Sequence, residues 1–432
     1  MIDKVVKSKL CTNCGTCISV CPVGAIFCKQ REDNFEIRVD KEKCTKCGLC
    51  LQVCPGKEVD FKNLNKEIFG KDQKIKYDPS LGYFKNCYLG YSLNKNIRFK
   101  CSSGGAITSI LIYLLKNKII DGALVTTMDA KNPLISKPFI AYTEKEIVEA
   151  RGSKYTPVVL NQCLTEIIKS KKKSFAIVGL PCHIHGIRKF QKINPVLKKK
   201  VKVCLGIMCG QTVNFNGSRF FLKRGGVKEE ELKELRHRGE GWPGKIALKL
   251  KNNELKKINF KDNFKIFTLG FFTPTRCFLC IDQTNELSDI AFCDAWDEKI
   301  TLKDNLGSNF IISRTKEGNR IINLTKKDIK YTEIPNNRLK KSVGLRIVCK
   351  KNAHHNIRKI ARFFNIGIPD YKKIPVNRNK ILSFFTLFFF LNSIISKKAE
   401  KIIISIPNNF WDIQIFIINK ILRLIKKFRT KI

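Results

Sequence analysis

Between residues 86 and 350, short apolar runs alternate with amphipathic stretches of helical length. The runs at 123–127, 174–179 and 201–208 have the length and composition of buried strands. The stretches at 102–118 and 156–170 have helical periodicity, and the first begins at a glycine turn. Because strands and helices alternate in this order, we expect βαβ units and an α/β domain with a largely parallel or mixed sheet.

The first 60 residues follow another pattern, because one cysteine phrase occurs in them twice. Both copies have the form C-x2-C-x2-C-x3-C-P, which holds 4Fe-4S cubanes in bacterial ferredoxins. A C-x2-C pair also suits tetrahedral zinc, but zinc does not require three evenly spaced cysteines followed by C-x3-C-P, and twice. The phrase predicts an α+β ferredoxin-like dicluster module over residues 1–60.

The spacing also predicts which cysteines share a cluster. Three thiolates on one tight loop can hold three irons of a cube, and the fourth cysteine of each phrase reaches the other cluster. One predicted ligand set is Cys11, Cys14, Cys17 and Cys54. The other is Cys44, Cys47, Cys50 and Cys21.

Composition divides the rest of the chain. Residues 61–85 are polar and contain Gly70, Pro79 and Gly82, which suits a linker. The α/β pattern then covers two regions, 86–160 and 161–350. Residues 351–432 are basic and rich in aromatic residues, and we expect a basic, apolar helical tail there.

Cysteine usage indicates a reducing compartment. The chain has 432 residues and 19 cysteines, of which eight stand in the cluster phrases and must stay reduced. Residues 1–7 contain no apolar signal region. We therefore expect a cytoplasmic protein with room for about three domains.

The net charge of +45 is extreme. Residues 1–60 contain ten Lys and Arg against eight Asp and Glu, a balance of +2, so nearly all of the excess lies beyond the ferredoxin module. Two explanations stay open: solvated lysine faces, or a surface for an acidic redox protein, a phosphorylated cofactor or anionic lipid. Nucleic acid is not expected as a partner, because we find no zinc-finger spacing, RNA-binding signature or helix-turn-helix.

Two loops have the composition of a cofactor site. At 102–105 the sequence Ser-Ser-Gly-Gly precedes an apolar helix, whose free N–H groups can hold a phosphate or an electron-rich ring. At 151–155 the sequence Arg-Gly-Ser-Lys-Tyr combines cations, a hydroxyl and an aromatic ring, which suits a dinucleotide. Taken alone, the first loop is equally an ordinary helix N-cap and the second an ordinary surface turn.

Four dispersed cysteines form a third candidate ligand set. Cys182 and Cys209 each follow a predicted strand, and Cys277 and Cys280 form a C-x2-C pair. Such a set can supply four thiolates to a third cubane, but buried free thiols or structural zinc explain it as well. Most of the remaining cysteines are interpreted as thiols without a cofactor; they are Cys28, Cys87, Cys101, Cys163, Cys204, Cys293 and Cys349.

Together these segments resemble the family of coenzyme F420 hydrogenase/dehydrogenase beta subunits, with a dicluster ferredoxin fused to it. The resemblance covers roughly residues 85–310, and its motifs occur in the family's order. They are SSGG at 102–105, GSKY at 152–155, GLPC at 179–182, RGEGWPG at 238–244, C-x2-C-x-D at 277–282, DI at 289–290 and DAW at 294–296. The combination is specific, although each motif alone is not.

The resemblance implies an α/β flavoprotein with FAD and a 4Fe-4S cluster of its own. It implies cluster ligation by Cys182, Cys209, Cys277 and Cys280, within the family's C-terminal region at 161–350. It implies a flavin-binding turn within the N-terminal region at 86–160, with contacts from Ser103, Gly104, Gly105, Thr108, Lys154 and Tyr155. Relatives pass electrons between clusters, FAD and the deazaflavin coenzyme F420 or another organic acceptor, and a plant relative reduces a chlorophyll derivative.

The chain departs from the family pattern at two positions near the expected redox centre. His183 stands where we expect glutamine, and Cys293 stands where we expect glycine. Both changes leave the choice of substrate open. We interpret His183 and His185 as satisfied histidines at the start of a helix, because no metal-binding partner set is evident for them.

The predicted function is that of an iron–sulfur flavoprotein oxidoreductase. Electrons would pass from an external donor through the two N-terminal clusters, the third cluster and FAD to an organic two-electron partner, or in reverse. The alternatives are a non-catalytic electron-transfer subunit of a larger redox complex and a cluster-bearing scaffold or sensor. We expect a ferredoxin or a dehydrogenase subunit as partner, and coenzyme F420 is expected as substrate through the family name alone.

The tail admits three interpretations. Residues 381–395 are uncharged, but fifteen residues fall short of the roughly twenty that a spanning helix needs. Residues 410–428 are amphipathic, which suits an anionic membrane surface. Their narrow polar face consists of Asn419, Lys420, Arg423, Lys426 and Lys427. Docking on a protein surface, peripheral association with the inner membrane face, and a true span stay open.

Overall fold

The computed structural model describes residues 1–70, 72–297, 300, 302–344, 350–351, 357, 360–372 and 380–411. The ferredoxin module contains helices Asp3–Lys7, Thr16–Val20 and Leu49–Gln52 and an antiparallel hairpin of β1 (Ile26–Gln30) and β2 (Phe35–Val39). A glycine with positive φ precedes each cysteine-bearing helix, Gly15 at 85° and Gly48 at 83°. A residue with a Cβ pays about 1–2 kcal/mol for that conformation, so these glycines allow each cysteine loop to curl tightly.

Residues 61–85, predicted as a linker, fold instead as a helix and a hairpin. The helix Phe61–Phe69 begins at Asp60, whose carboxylate accepts a hydrogen bond from the Asn63 N–H, as an N-cap residue does. Phe61 joins a core cluster that also contains residues of the α/β domain. After the helix, β3 (Lys76–Asp78) pairs with β4 (Gly82–Phe84). The linker prediction was wrong because a short helix with one apolar face is mostly polar in sequence.

An eight-stranded mixed sheet is the centre of the next part of the chain. The strands after the hairpin are β5 (Asn86–Ser92), β6 (Gly122–Met128), β7 (Ser136–Ala141), β8 (Phe175–Gly179), β9 (Val201–Ile207), β10 (Leu232–Arg236), β11 (Lys245–Leu250), β12 (Leu255–Asn259), β13 (Ile290–Asp294), β14 (Asn309–Ser313) and β15 (Ile329–Ile334). The sheet order is β15-β5-β14-β13-β9-β8-β6-β7, and β10, β11 and β12 form a separate sheet. Since β13, β9, β8 and β6 are mutually parallel and the outer strands antiparallel, the predicted mixed α/β fold is confirmed.

Alternate residues of the central strands face two helical layers. Leu124 packs in one core cluster with residues of helix Pro181–Ile193. Its neighbour Val125 packs in another with residues of helix Ala106–Lys116. Both faces of the sheet are therefore covered, which explains why its parallel strands are mostly apolar.

The predicted elements are present with shorter bounds. The helix expected at 102–118 spans Ala106–Lys116, and the one expected at 156–170 is a 3-10 turn, Leu160–Cys163, followed by Leu164–Lys169. Pro157 disfavours helical backbone at the residue before it, which delays that start. Further helices are Lys95–Lys100, Glu144–Glu149, Pro195–Lys200, Phe215–Arg224, Phe260–Asn263, Lys265–Thr268, Lys316–Leu324 and Asn336–Val343, with 3-10 turns at Glu229–Glu231 and Thr275–Leu279.

The described part of the tail docks on the protein itself. Helix Lys380–Ser405 buries Phe390 and Glu400. The Glu400 carboxylate accepts hydrogen bonds from Nδ2 of Asn214 at 2.8 Å and of Asn216 at 2.6 Å. Within the described residues, no helix is both long and apolar enough to cross a membrane. Residues 412–432, which hold most of the predicted amphipathic stretch, lie outside the described part of the chain.

A segment ahead of that helix, residues 360–372, is here called the strap. Its Gly367 N–H donates to the Ser8 carbonyl at 2.9 Å, and its Asp370 carbonyl accepts from the Val59 N–H at 2.9 Å. The strap thus adds backbone hydrogen bonds to two edges of the ferredoxin module. The module is held between the strap and the α/β domain.

Candidate iron–sulfur centres and cofactor site

The inner set, Cys11, Cys14, Cys17 and Cys54, is largely buried. Burial raises the pKa of Cys17 well above its ordinary value, and the neighbouring thiolates of Cys14, Cys11 and Cys54 raise it further. Burial and the Cys14 thiolate raise the pKa of Cys54 to about 11. The structure therefore places Cys54, from the second phrase, beside the three leading cysteines of the first.

The outer set, Cys21, Cys44, Cys47 and Cys50, lies nearer the surface. Cys47 is exposed, and the other three are half-buried. The Cys21 Sγ accepts a hydrogen bond from the Ala25 N–H at 3.2 Å, and hydrogen bonds to sulfur help to set cluster potentials. The outer set is accessible from solvent, whereas the inner set faces the rest of the chain.

The third set, Cys182, Cys209, Cys277 and Cys280, is assembled where β8 and β9 end. Cys182 is the second residue of helix Pro181–Ile193, which directly follows β8, and Cys209 comes shortly after β9. Cys277 lies in the 3-10 turn Thr275–Leu279, and Cys280 follows it. All four cysteines line one cavity that is partly open to solvent.

The walls of this cavity suit an anionic cluster. Burial raises the pKa of Cys182 well above its ordinary value, and nearby thiolates raise it further, so this thiol keeps its proton unless a metal replaces it. The buried residues Arg276 and Lys350 line the same cavity. In the described part of the chain, the buried Arg276 Nη1 has no acceptor. Four thiols, two cations and an unpaired donor fit an iron–sulfur cluster.

The described residues offer no comparable site for a single metal ion. Among the residues that the structure describes, no group of three or more His, Cys, Asp or Glu is arranged to hold one.

The inner set reaches the same cavity. Cys11, Thr12 and Asn13 form part of its wall together with Pro55. The Cys14 thiolate is the first of the charges that raise the pKa of Cys182 after burial itself. The inner and third sets are therefore neighbours across the boundary between the ferredoxin module and the α/β domain.

Two cations fix this boundary. Lys189, on helix Pro181–Ile193, donates from Nζ to the carbonyls of Cys54 at 3.0 Å and Glu58 at 2.8 Å. Arg276 donates from Nε to the Leu10 carbonyl at 3.2 Å. It also donates from Nη2 to the Tyr371 hydroxyl of the strap at 2.8 Å. Sequence reasoning missed both residues, because a lysine and an arginine at ordinary spacing carry no signal of a contact so distant in the chain.

Both histidines after Cys182 are satisfied at the start of their helix, as predicted. His183 Nδ1 accepts from the Leu180 N–H at 3.2 Å, so Nε2 carries the proton that faces the Val158 carbonyl at 3.2 Å. Burial lowers the pKa of His183 to about 4. His185 pairs with the buried Asp282 at 2.8 Å. Burial acts to raise the pKa of Asp282, but the contacts with His185, the Lys351 charge and the Glu286 N–H together lower it.

The two predicted cofactor loops lie side by side. The Ser153 N–H donates to Ser102 Oγ at 2.7 Å. Gly105, with φ of 74°, forms the start of helix Ala106–Lys116. A Cβ on Gly104 would stand 2.7 Å from Asn309 Oδ1, so only glycine fits there. The structure thus brings the 102–105 and 151–155 loops together.

The hydroxyls of the first loop are engaged inside the protein. Ser103 Oγ donates to the Ser308 carbonyl at 2.7 Å. Thr108 Oγ1 lies 3.6 Å from the Cys101 thiol. Both Ser103 and Thr108 are buried.

The side chains of the second loop are half-buried. Lys154 Nζ donates to the Arg151 and Gly152 carbonyls, each at 3.0 Å. Burial lowers the pKa of Lys154 to about 7. The Tyr155 ring stacks on Phe260 with centroids 5.5 Å apart. The fit to a flavin is partial: the glycine backbone is in place, while the Ser103 hydroxyl, the Lys154 ammonium and the tyrosine ring are already used.

An aromatic cluster borders these loops, and the sequence predicted no function for it. The Arg238 guanidinium lies 4.6 Å from the Trp242 ring centroid and pairs with Asp294. The rings of Trp242 and Trp296 are 4.5 Å apart, and Trp296 is 42% exposed. An exposed indole can stack a flat ligand, so this cluster is the open side of the loop pair.

The cysteines without an assigned cofactor are mostly core residues. Cys87, Cys101, Cys163 and Cys204 are buried, and Cys28 and Cys293 are half-buried. Burial raises the pKa of Cys204 to about 12, so this thiol stays protonated. Cys349 lies outside the described residues.

Comparison with known families follows the same division of the chain. Residues 10–57 match the 4Fe-4S dicluster domain. Residues 87–165 match the N-terminal part of the coenzyme F420 hydrogenase/dehydrogenase beta subunit, and residues 172–337 match its C terminus. The third set lies entirely within the latter match.

Curated relatives span different parts of this chain. The beta subunit of coenzyme F420 hydrogenase from Methanococcus voltae is 26% identical over 56% of this chain and 81% of its own length. A component of the F(420)H(2) dehydrogenase from Methanosarcina mazei is 25% identical over 82% of this chain and 93% of its own length. The coenzyme F420-dependent sulfite reductase from Methanocaldococcus jannaschii is 24% identical over 74% of this chain, but only 47% of that enzyme is matched.

Proposed function

Because the chain belongs to the family of coenzyme F420 hydrogenase/dehydrogenase beta subunits and carries a 4Fe-4S dicluster domain, we propose that it is an iron–sulfur flavoprotein oxidoreductase. It would pass electrons between three 4Fe-4S clusters, FAD and an organic two-electron partner. The observation that supports this most is the shared cavity, which the four thiols of the third set line together with Cys11 of the inner set.

The three ligand sets differ in how deeply they are buried, and this difference suggests the order in which electrons pass through them. A bound 4Fe-4S cluster accepts and releases single electrons. The outer set, with its exposed Cys47, faces a protein partner, while the buried inner set faces the third. The chain's own residues keep water from the inner set and donate N–H groups to its sulfurs, as Gly56 and Lys57 do for Cys54. Both features tune a cluster's potential.

We place FAD at the loop pair beside the aromatic cluster. A bound flavin links one-electron and two-electron chemistry. The start of helix Ala106–Lys116 would face its phosphates, since free N–H groups concentrate positive charge there, and Lys154 would lie beside them. Gly104 and Gly105 would allow close approach of the backbone, with Ser103, Thr108 and Tyr155 supporting the loops from inside.

Substrate and partner are proposed from the relatives' names. Those names contain coenzyme F420, hydrogenase, dehydrogenase and sulfite reductase, so a deazaflavin is the first organic partner to test. A ferredoxin or a dehydrogenase subunit is the protein partner that we expect at the outer set, in a reducing, cytoplasmic setting. The alternative is a non-catalytic electron-transfer subunit, which keeps the clusters and lacks the flavin.

The third cluster is tested by replacing one of its ligands. Cys277→Ser removes a thiolate from the cavity wall, and the purified anaerobic variant should contain about four irons fewer per chain than the wild type. Flavin reduction by electrons delivered to the outer set should also stop. Cys163→Ser is the matched control, since Cys163 is a buried thiol outside the three sets. Unchanged iron content in Cys277→Ser would exclude the third cluster.

Flavin content separates the enzyme from the electron-transfer subunit. Acid release and chromatography of the anaerobically purified chain should yield about one FAD per chain. If no FAD is found, even after incubation with excess FAD, the non-catalytic alternative is correct.

A further inference from the structure

Helix Pro181–Ile193 carries a third-set ligand at its start and a buried lysine two turns later. Cys182 and Lys189 are seven residues apart and therefore lie on the same face of the helix. Cys182 lines the third-set cavity. Lys189 is 9% exposed and reaches the ferredoxin module, where its Nζ donates to the Cys54 carbonyl at 3.0 Å. One rigid helix thus links the third and the inner sets.

Among the residues that the structure describes, no carboxylate contacts the Lys189 ammonium. Both of its acceptors, the carbonyls of Cys54 and Glu58, are neutral oxygens. The charges that act on it at longer range are the Cys54 thiolate, the Glu58 carboxylate, the Lys57 ammonium and the Cys14 thiolate. Two of these four belong to the inner set. The buried ammonium therefore acts on the inner set with little screening by water.

We propose that Lys189 is a positioning residue that makes the inner cluster easier to reduce than the outer one. Reduction adds one electron to a cluster and exchanges no bond or proton. A buried cation stabilises the added negative charge. The outer set lies nearer to solvent, which screens charge more strongly. An electron that enters at the outer set is thereby drawn toward the third-set cavity. This inference rests on the proposed function, because it requires both ferredoxin clusters.

The test is a potentiometric titration of the full-length, anaerobically purified protein, followed by electron paramagnetic resonance. Lys189→Gln removes the charge and keeps an N–H donor. We expect a tenfold loss in the inner cluster's tendency to be reduced, which is about 59 mV for one electron. Lys189→Arg should stay close to the wild type. Loss of one signal in Cys14→Ser identifies the inner cluster.

The matched control lies one turn further along the same helix. Lys192 pairs with Glu67 at 2.6 Å and its side chain is 40% exposed, so Lys192→Gln should leave both potentials unchanged. If Lys189→Gln shifts both clusters equally, or neither, at full iron content, the inference is wrong. A wild-type protein without the two ferredoxin clusters would instead contradict the proposed function.

If Lys189→Gln loses iron, a second variant tests the inference in its place. Glu58 is half-buried and its carboxylate acts against the charge of Lys189. Glu58→Gln removes that negative charge and should make the inner cluster easier to reduce, the opposite sign to Lys189→Gln. An unshifted inner potential in Glu58→Gln would overturn the inference as well.

Discussion

A single methyl group at Gly186 should disturb the boundary between the ferredoxin module and the α/β domain. Gly186 lies on helix Pro181–Ile193 against Thr16 of the module. A Cβ built on it would stand 2.1 Å from Thr16 Oγ1 and 3.1 Å from Asn161 Nδ2. Thr16 has little freedom to yield, because its hydroxyl accepts from Asn161 Nδ2 at 2.8 Å and lies 3.3 Å from Cys14 Sγ.

The expected cost of Gly186→Ala follows from three effects. Overpacking a close contact costs about 1–3 kcal/mol. Loss of the buried bond between Thr16 and Asn161 costs about 1 kcal/mol. Alanine gains about 1 kcal/mol over glycine in a helix. The net destabilisation is therefore about 1–3 kcal/mol, whereas the same change at an open helical position stabilises a protein.

The assay is anaerobic thermal unfolding, followed by the visible absorbance of the clusters and by circular dichroism. Gly186→Ala should lower the midpoint and release the inner cluster early, because Thr16 contacts Cys14. The double variant Gly186→Ala/Thr16→Ala removes the clashing hydroxyl, so its cost should be less than the sum of the two single costs. Wild-type stability in Gly186→Ala, or strict additivity in the double variant, would refute the close approach.

Two further predictions concern the α/β domain and the tail. Burial, together with the Lys154 charge, lowers the pKa of His237 to about 3. Below about pH 6.5 the folded state therefore binds fewer protons than the unfolded chain, and the free energy of unfolding falls as the pH drops. At about pH 5.5 the loss is about 1.4 kcal/mol. In His237→Phe, the unfolding midpoint should depend less steeply on pH than in the wild type. An identical pH dependence in the two proteins would contradict this prediction. Glu400→Ala leaves the amides of Asn214 and Asn216 without their acceptor, which should cost about 1–3 kcal/mol and accelerate proteolysis at Lys401. Glu32→Ala, which removes only an exposed pair with Lys401 at 2.9 Å, should not accelerate it.

Features encoded by local spacing could be predicted from the sequence. The two cysteine loops depend on a glycine next to the cysteines themselves, and the central strands depend on mostly apolar runs. The third set was different, because its ligands come from places as far apart as Cys182 and Cys280 and spacing left zinc and free thiols open. Only the family resemblance, now joined by the shared cavity, selected these residues among the remaining cysteines.

Contacts between distant segments could not be predicted. The approach of Gly186 to Thr16 and the reach of Lys189 to Cys54 depend on how the module sits on the α/β domain, which no local pattern records. Residues 61–85 were predicted as a linker for the same reason. Their few apolar side chains pack in a core formed by distant segments, which no local pattern reveals. The flavin contacts at Ser103, Lys154 and Tyr155 stay predictions.

The strap imposes an order on how the protein is made. Val59 bonds to Asp370, which emerges from the ribosome about 310 residues later. At about 5–20 residues per second, the ferredoxin module waits roughly 15–60 s for the strap that completes it. During this interval the Val59 N–H lacks its acceptor on the strap, and this edge of the ferredoxin module stays incomplete. Completion of this edge is therefore one of the last steps toward the native structure, after both cysteine loops and the whole α/β domain have been synthesised.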